Sequence, residues 1–387
     1  MWKADFEFKY NDVKVYFGPG VLKKNFTSAV QGTRKALVLT SRSAARVSGA
    51  LDDVFSSLKE SQVDYVVFDK VTPNPYTSVV DSAVEVAENE GVDTVIAIGG
   101  GSVIDVSKVV SVLVGSGIKA RDLFLGATVT ARPLKLLVVN LTHGTGSEVD
   151  RFAVLTLEGT IEKRGLMVRY PDVSFDDPVY TVSLSRDQTL YTSLDAFYHA
   201  YESATAKRAN LMVQTLAEAV VEIVAKYLGR TLSNPRDLEA RTMLLYASML
   251  AGICIDMTRG THIVHALEHG FSGLKPELPH GAGLAILGPR SVYYVHKAVP
   301  EVSAKLLKHL DPGISPSPDD AERAAKAVEN FQRTHGFEKK LSDYGVSERD
   351  FKPVLDFVER TIVERFSVNT PFQVTRQLLE DIAKRAL

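Results

Sequence analysis

From the start of the chain to about residue 180, short β-branched runs alternate with longer amphipathic stretches, and that order leaves few folds open. Lys35-Ala-Leu-Val-Leu-Thr40, Tyr65-Val-Val-Phe68, Thr94-Val-Ile-Ala-Ile98 and Leu136-Leu-Val-Val139 are each bounded by polar or glycine-containing turns. Helical spacing such as that of Ser78 to Asn89 lies between them. The pattern predicts βαβ units, hence a Rossmann-like α/β domain with a parallel sheet flanked by helices. Beyond Asp177-Pro178 long helical periodicity takes over, as in Leu211 to Leu228 and Leu238 to Met257, so an all-α C-terminal domain is expected. The boundary falls near residue 180, giving domains over residues 1–180 and 181–387. Two domains also suit the length of 387 residues, because single hydrophobic cores stop growing at roughly 250 to 300 residues.

Composition removes several classes of function. A net charge of −2 leaves no basic excess to neutralise phosphates, so no nucleic-acid partner is expected. The single cysteine, Cys254, excludes an internal disulfide framework. The first residues lack the apolar run of a secretion signal, and a cytoplasmic location is expected. No membrane span is expected either, since even the apolar stretch Val95 to Leu113 carries Asp105 and Lys108.

The strand Thr94 to Ile98 runs into Gly99-Gly100-Gly101-Ser102 and then into a helical pattern. Glycines there let backbone N–H groups approach a phosphate, and the helix N-terminus adds its dipole, an arrangement suited to a pyrophosphate. The competing explanation is a tight turn that needs positive φ angles. A second small, hydroxyl-rich turn, Thr142-His-Gly-Thr145-Gly-Ser147-Glu148, follows the strand Leu136 to Val139, where open α/β sheets bind ligands. Two such turns favour a dinucleotide lying in an open groove against Gly100 to Ser102. Lys108, on the following helix, is expected to be solvated.

In the helical half, Asp195 and His199 are four apart and share one helix face, as do His265 and His269, with His280 following. One carboxylate with several imidazoles suits Fe²⁺ or Zn²⁺ and leaves room for a substrate oxygen. His262 is read as a packing or solvated residue.

These segments, Gly99-Gly-Gly-Ser-x-x-Asp105-x-x-Lys108, Gly144-Thr-Gly-Ser-Glu148, Asp195-Ala-x-x-His199-Ala and His265-Ala-x-x-His269 to His280-Gly281, resemble the iron-containing alcohol dehydrogenases in identity and order, over nearly the whole chain. Phe17-Gly-Pro-Gly20 and Pro73-Asn-Pro75 resemble the family as well. The likeness implies an NAD(P)-dependent alcohol dehydrogenase or aldehyde reductase, a homodimer, with a small-molecule alcohol or aldehyde as substrate. It implies Asp195, His199, His265 and His280 as metal ligands, Fe²⁺ with Zn²⁺ as the alternative, converging between the two domains. His269 then lies beside the nicotinamide, outside the metal's ligand shell, as a proton-relay candidate for catalysis. The cofactor set carried over is Asn74, Gly100, Gly101, Ser102, Asp105, Thr142, Thr145, Ser147 and Lys163.

In this family an aspartate after the first dinucleotide-domain strand often binds the unphosphorylated ribose. Here Ser41 stands there, followed by Arg42, and the pair predicts NADP over NAD. Asn140-Leu-Thr-His143, Asp150 and a long charged loop from Gly273 to Pro279 depart from the family pattern and bear on the substrate. The competing readings are a glycerol or other polyol dehydrogenase, a dehydroquinate-synthase-like lyase, which would need basic groups for its substrate, and a non-catalytic binding protein.

Overall fold

The computed structural model describes residues 6–362 and 368–387. The chain forms two compact units: one comprises the residues up to Gly159, Arg164–Leu184 and Pro235–Leu245, the other Thr160–Lys163, Ser185–Asn234 and the residues from Tyr246 onward. In chain order the strands are β1 (Phe6–Tyr10), β2 (Val13–Phe17), β3 (Lys35–Thr40), β4 (Asp64–Phe68), β5 (Thr94–Gly99), β6 (Lys135–Asn140), β7 (Phe152–Thr156), β8 (Lys163–Met167) and β9 (Val173–Asp176). The main helices of the first unit are α1 (Val21–Ala29), α2 (Ala44–Val47), α3 (Ala50–Glu60), α4 (Thr77–Glu90), α5 (Gly101–Leu113) and α6 (Ala120–Phe124). After residue 177 the described residues contain helices and loops but no strand.

Seven strands form one sheet in the order β1-β2-β9-β6-β5-β3-β4, with β1 antiparallel to β2 and the remaining pairs parallel. β7 and β8 pair separately. The central strands are apolar at nearly every position because both faces are covered. Leu37, Leu39, Val95, Ala97, Leu136 and Val138 pack on one face with Val80 and Ala83 of α4 and Val106 and Val110 of α5. Their alternates Ala36, Val38, Ile96, Ile98, Leu137 and Val139 pack on the other with Phe26 of α1 and Val54 and Leu58 of α3. The chain runs outward from β3 to β4, returns to the other side of β3 as β5, and continues away through β6 to β9. That reversal between β3 and β5 is a topological switch point, and the carboxyl ends of the two strands lead into Ser41 and Gly100.

Lys108 is not solvated: it is 0% exposed. Its ammonium donates to Ser147 Oγ (2.8 Å), Asp150 Oδ1 (2.7 Å) and the Phe152 carbonyl (2.6 Å). One turn earlier, Asp105 accepts from Ser147 Oγ (2.6 Å) and from the Val154 amide (2.9 Å). α5 is buried along most of its length, so a charge on it must find partners inside the protein, and the segment from Ser147 to Val154 supplies them. Asp150, a departure from the family pattern, is therefore a scaffold residue, 3% exposed.

Glu148 is fully buried, and among the described residues neither of its carboxyl oxygens has a hydrogen-bond partner in another residue. Burial first, and the nearby Asp176 charge second, push its pKa well above the ordinary carboxylate range. The folded state thus keeps a proton that the unfolded chain releases near pH 4.5, so this group's stabilising contribution is full below that pH and is lost as pH rises toward the raised value. Glu148→Gln is expected to leave the urea midpoint almost unchanged at pH 5 and to raise it relative to the parent at pH 8. Equal shifts at both pH values would contradict this account.

The second unit is helical. Its elements are α7 (Arg186–Thr205), α8 (Leu211–Ser233), α9 (Leu238–Thr258, whose first residues belong to the first unit), α10 (Ile263–Leu274), α11 (His280–Ala298), α12 (Pro300–Leu307), α13 (Ala321–Thr334), α14 (Phe351–Thr361) and α15 (Arg376–Ala386). α9 is long and apolar enough to cross a membrane by length and composition, yet 78% of its most apolar stretch is buried inside the protein, the setting of a core helix.

Candidate active site

Three helices of the second unit build one polar cluster. α7 starts where Ser185 Oγ accepts from the Gln188 amide, and its 3.6-residue period puts Asp195, His199 and Glu202 on one buried face. α10 carries His265, Glu268, His269 and Ser272, all buried. α11 begins at His280 itself. A Cβ at the next position, Gly281, would sit 2.2 Å from the Tyr191 carbonyl oxygen, so only glycine lets the start of α11 approach α7 this closely. The loop between α10 and α11 is not the long Gly273–Pro279 segment that the sequence indicates. α10 continues through Leu274, because Gly273 packs within its last turn against the Ile161 backbone, and Leu278 is fully buried.

Asp195 Oδ1 is the common vertex. It lies 3.4 Å from His199 Nδ1, 3.7 Å from His265 Nε2 and 3.6 Å from His280 Nε2. All four residues offer ligand atoms within 4.8 Å of one another. The His199 and His265 rings stack, with centroids 4.5 Å apart. Among the described residues Asp195 Oδ1 and His265 Nε2 are buried without a hydrogen-bond partner, a state that costs several kcal/mol unless something else satisfies them. A tetrahedral shell with bonds of roughly 2.1 Å needs ligand atoms about 3.4 Å apart, so the donor set and its spacing fit a divalent metal. One carboxylate with three imidazoles is a donor set for Fe²⁺ or Zn²⁺.

The electrostatics agree. Burial opposes the charge on Asp195, but His199 first and then His265 and His280 hold its pKa down at about 2. Burial likewise opposes a charge on His265, and the Glu202 carboxylate outweighs it, raising the imidazole to about 9. His269 lies outside the four. Burial, then the Lys163 charge, drive its pKa well below the usual histidine value, so it is a neutral imidazole at the edge of the cluster.

In the first unit, α5 begins at Gly101 with no side chain capping it. Positive φ is not why glycines occupy this turn: Gly100 is extended, with φ −86°, and Gly101 is helical. Close packing is the reason. A Cβ on Gly100 would lie 2.7 Å from Thr142 Cγ2, and one on Gly101 would lie 2.4 Å from Thr145 Cγ2. The two turns singled out in the sequence thus press against each other at the carboxyl ends of β5 and β6. Gly100, Ser102, Thr142 and Thr145 keep accessible surface there, as does Ser41 beyond β3, with Arg42 exposed beside it. Asn74 is buried with φ +49°, a conformation asparagine tolerates. Asp105 and Ser147 are occupied with each other, and Ser147 also accepts from Lys108. Lys163 lies in the second unit against Glu268 and Ser272. Asn140, another departure from the family pattern, ties strand to turn: its side chain donates to Asp176 (3.0 Å) and accepts from the Thr142 amide (3.1 Å).

Residues 12–178 match the family described as iron-containing alcohol dehydrogenase, and residues 189–387 match the Fe-containing alcohol dehydrogenase family, C-terminal. The chain belongs to the iron-containing alcohol dehydrogenase family. It is an oxidoreductase that acts on alcohols with a nicotinamide dinucleotide and iron. The long-chain primary alcohol dehydrogenase AdhA of Thermoanaerobacter ethanolicus is 35% identical over 375 residues, covering 95% of this chain and 94% of the relative. The 1,3-propanediol dehydrogenase of Citrobacter freundii is 33% identical, covering 87% and 88%. Among solved structures, the NADH-dependent butanol dehydrogenase A of Thermotoga maritima superposes with a TM-score of 0.89 at 28% identity, covering 99% of each chain. An alcohol dehydrogenase from an archaeal halo-thermophile of a Red Sea brine pool does so with a TM-score of 0.90 at 27% identity, again over 99% of each.

Two acidic residues of the dehydrogenase's cluster escape a reading of the sequence. Glu202 accepts from His265 Nδ1 and from the Val264 amide (2.7 Å), and lies 3.1 Å from His262 Nδ1, which makes His262 a buried packing residue. Its signal was present, seven residues beyond Asp195 and so on the same helix face. Glu268 lies 2.5 Å from His280 Nδ1. Only its position directly before His269 marks it, and nothing local tells which way it points.

Proposed function

We propose that the dehydrogenase interconverts an aliphatic primary alcohol and its aldehyde, holding one Fe²⁺ on Asp195, His199, His265 and His280 and the dinucleotide pyrophosphate against Gly100 to Ser102 and Thr142 to Ser147. The convergence of three imidazole nitrogens on the unpartnered Asp195 Oδ1 carries this reading. The names of its relatives, long-chain primary alcohol, 1,3-propanediol and butanol dehydrogenases, support the substrate class. When bound, the metal supplies Lewis-acid polarisation of the substrate oxygen and the nicotinamide takes or gives the hydride. The chain's own groups do the rest. His269, neutral and beside the cluster, accepts the proton that the alcohol loses and passes it to solvent. Ser41, with Arg42 exposed next to it, leaves space and positive charge for a ribose phosphate, which supports NADP(H) over NAD(H). The working form is a cytoplasmic homodimer, a reading whose support is the family for the dimer and the single cysteine for the location.

Elemental analysis is expected to find close to one metal per chain, with zinc in place of iron the alternative outcome. Stripping it with a chelator is expected to abolish turnover while dinucleotide binding stays largely intact, and full activity without metal would overturn the mechanism. The ratio of kcat/KM for NADPH and NADH is expected to exceed one in the parent and to fall in Ser41→Asp. A parent that prefers NADH refutes the cofactor preference and leaves the metal reading standing.

A further inference from the structure

We propose that Lys163, Glu268 and Ser272 form a positioning relay behind His280, in which Lys163 acts on the metal centre through Glu268. The inference rests on the metal reading given above, and it concerns residues that lie behind the four proposed ligands.

Glu268 is fully buried, and a carboxylate there persists only if its charge is matched. Two groups match it. His280 Nδ1 lies 2.5 Å from Glu268 Oε2, and Lys163 Nζ lies 3.3 Å from the same oxygen and 3.5 Å from Oε1. The ammonium also donates to Ser272 Oγ at 2.9 Å, and Lys163 is 3% exposed. Lys163 Nζ is also 3.5 Å from His280 Nδ1, and the two neighbours make opposite demands on that nitrogen, since a carboxylate only accepts and an ammonium only donates. The contact that is a full ångström shorter decides. Nδ1 carries the proton and donates to Glu268, which leaves the Nε2 lone pair facing Asp195 Oδ1 at 3.6 Å.

His280 is the ligand most in need of such support. Its side chain is 25% exposed, whereas those of Asp195, His199 and His265 are 4%, 8% and 3% exposed, so packing alone fixes its ring least. The relay also limits the centre to one metal. Glu268, His269 and His280 offer a second group of ligand atoms within 4.8 Å of one another, but the Lys163 ammonium already stands against that carboxylate and repels a further cation. Glu202 plays the corresponding part behind His265, with His262 Nδ1 3.1 Å from its other oxygen, so the two carboxylates orient their imidazoles separately.

The test compares metal-stripped parent, Glu268→Ala, Lys163→Met and the double variant Lys163→Met with Glu268→Gln, each checked for folding by circular dichroism. Zn²⁺ affinity is measured by competition with a chromophoric chelator, and NADH and NADPH affinity by fluorescence. Glu268→Ala is expected to lower Zn²⁺ affinity about 10- to 100-fold. Lys163→Met is expected to raise the Zn²⁺ stoichiometry above one per chain, because it removes the cation that keeps a second ion off Glu268, His269 and His280, while the double variant, which also removes the carboxylate, returns the stoichiometry to one. Dinucleotide affinity is expected to stay within about threefold of the parent in Glu268→Ala. If Glu268→Ala does not fold, the comparison of Lys163→Met with the double variant decides. Parent-like Zn²⁺ affinity in Glu268→Ala, or parent-like Zn²⁺ stoichiometry with lost dinucleotide affinity in Lys163→Met, overturns the relay and leaves the metal centre standing. A parent that takes up no Zn²⁺ overturns the metal reading and the relay with it.

Discussion

Asp195→Ala is expected to empty the metal centre and to remove turnover with it, while the affinity for NADH and NADPH remains that of the parent. Asp195 supplies the single carboxylate among the four residues, and its Oδ1 is the atom from which the three imidazole nitrogens are measured at 3.4, 3.7 and 3.6 Å. Without it the cation meets only neutral rings. Changes behind a ligand typically cost 10- to 100-fold in metal affinity, so loss of a charged ligand is expected to cost at least roughly 100-fold and leave the purified protein metal-free. The contrast is His269→Ala. That residue lies outside the set, so metal content is expected to persist while kcat falls by about 10²- to 10⁴-fold, the usual contribution of a positioned proton-transfer group. Metal analysis and kcat on the two variants separate the roles. Parent-like metal content in Asp195→Ala would remove the assignment, and metal loss in His269→Ala would move that histidine into the shell.

Gly101→Ala is expected to damage the dinucleotide site and the first unit's stability together. The added Cβ would lie 2.4 Å from Thr145 Cγ2 and 2.8 Å from Thr145 Oγ1, closer than nonbonded atoms approach. The turns after β5 and β6 must then separate, and overpacking of this kind costs about 1 to 3 kcal/mol. Because the same displacement moves the α5 N-terminal amides, NADH and NADPH affinity is expected to fall by about tenfold or more, since 1.4 kcal/mol corresponds to a factor of ten. Adding Thr145→Ala removes both clashing atoms. The double variant is expected to recover most of the urea midpoint without recovering cofactor affinity, because Thr145 keeps accessible surface at the same turn. A Gly101→Ala protein with parent stability would show that the turn has slack, and a double variant no more stable than Gly101→Ala would place the strain elsewhere.

Features whose cause is local could be read along the chain. The runs Lys35 to Thr40 and Thr94 to Ile98 are strands because they are short, apolar and bounded by turns, and in the fold they span Lys35–Thr40 and Thr94–Gly99. The Asp195/His199 and His265/His269 pairs share helix faces because four residues is close to one turn. The hairpin of β1 and β2 and the late strand β9 were not legible. Val173–Asp176 is only four residues long, and it is a strand because β2 and β6 flank it in space.

Lys108 and Lys163 mark the limit most sharply, since lysine is ordinarily a surface residue and nothing adjacent contradicts that expectation. Lys108 finds Asp150 42 residues away, and Lys163 finds Glu268 105 residues away. The glycine turn shows the same limit in another form: its position after a strand is a sequence fact, but the need for glycine comes from Thr142 and Thr145, which belong to the turn after a different strand. The sequence by itself determined the class of the central strands and long helices, the order of the βαβ units and the residue types able to hold a metal, because hydrophobic period, turn chemistry and ligand chemistry are properties of neighbouring residues. Tertiary structure alone decided which buried charges are matched, which nitrogen of His280 faces Asp195 and why small residues meet at the turns, because these depend on distances between segments that only packing brings together.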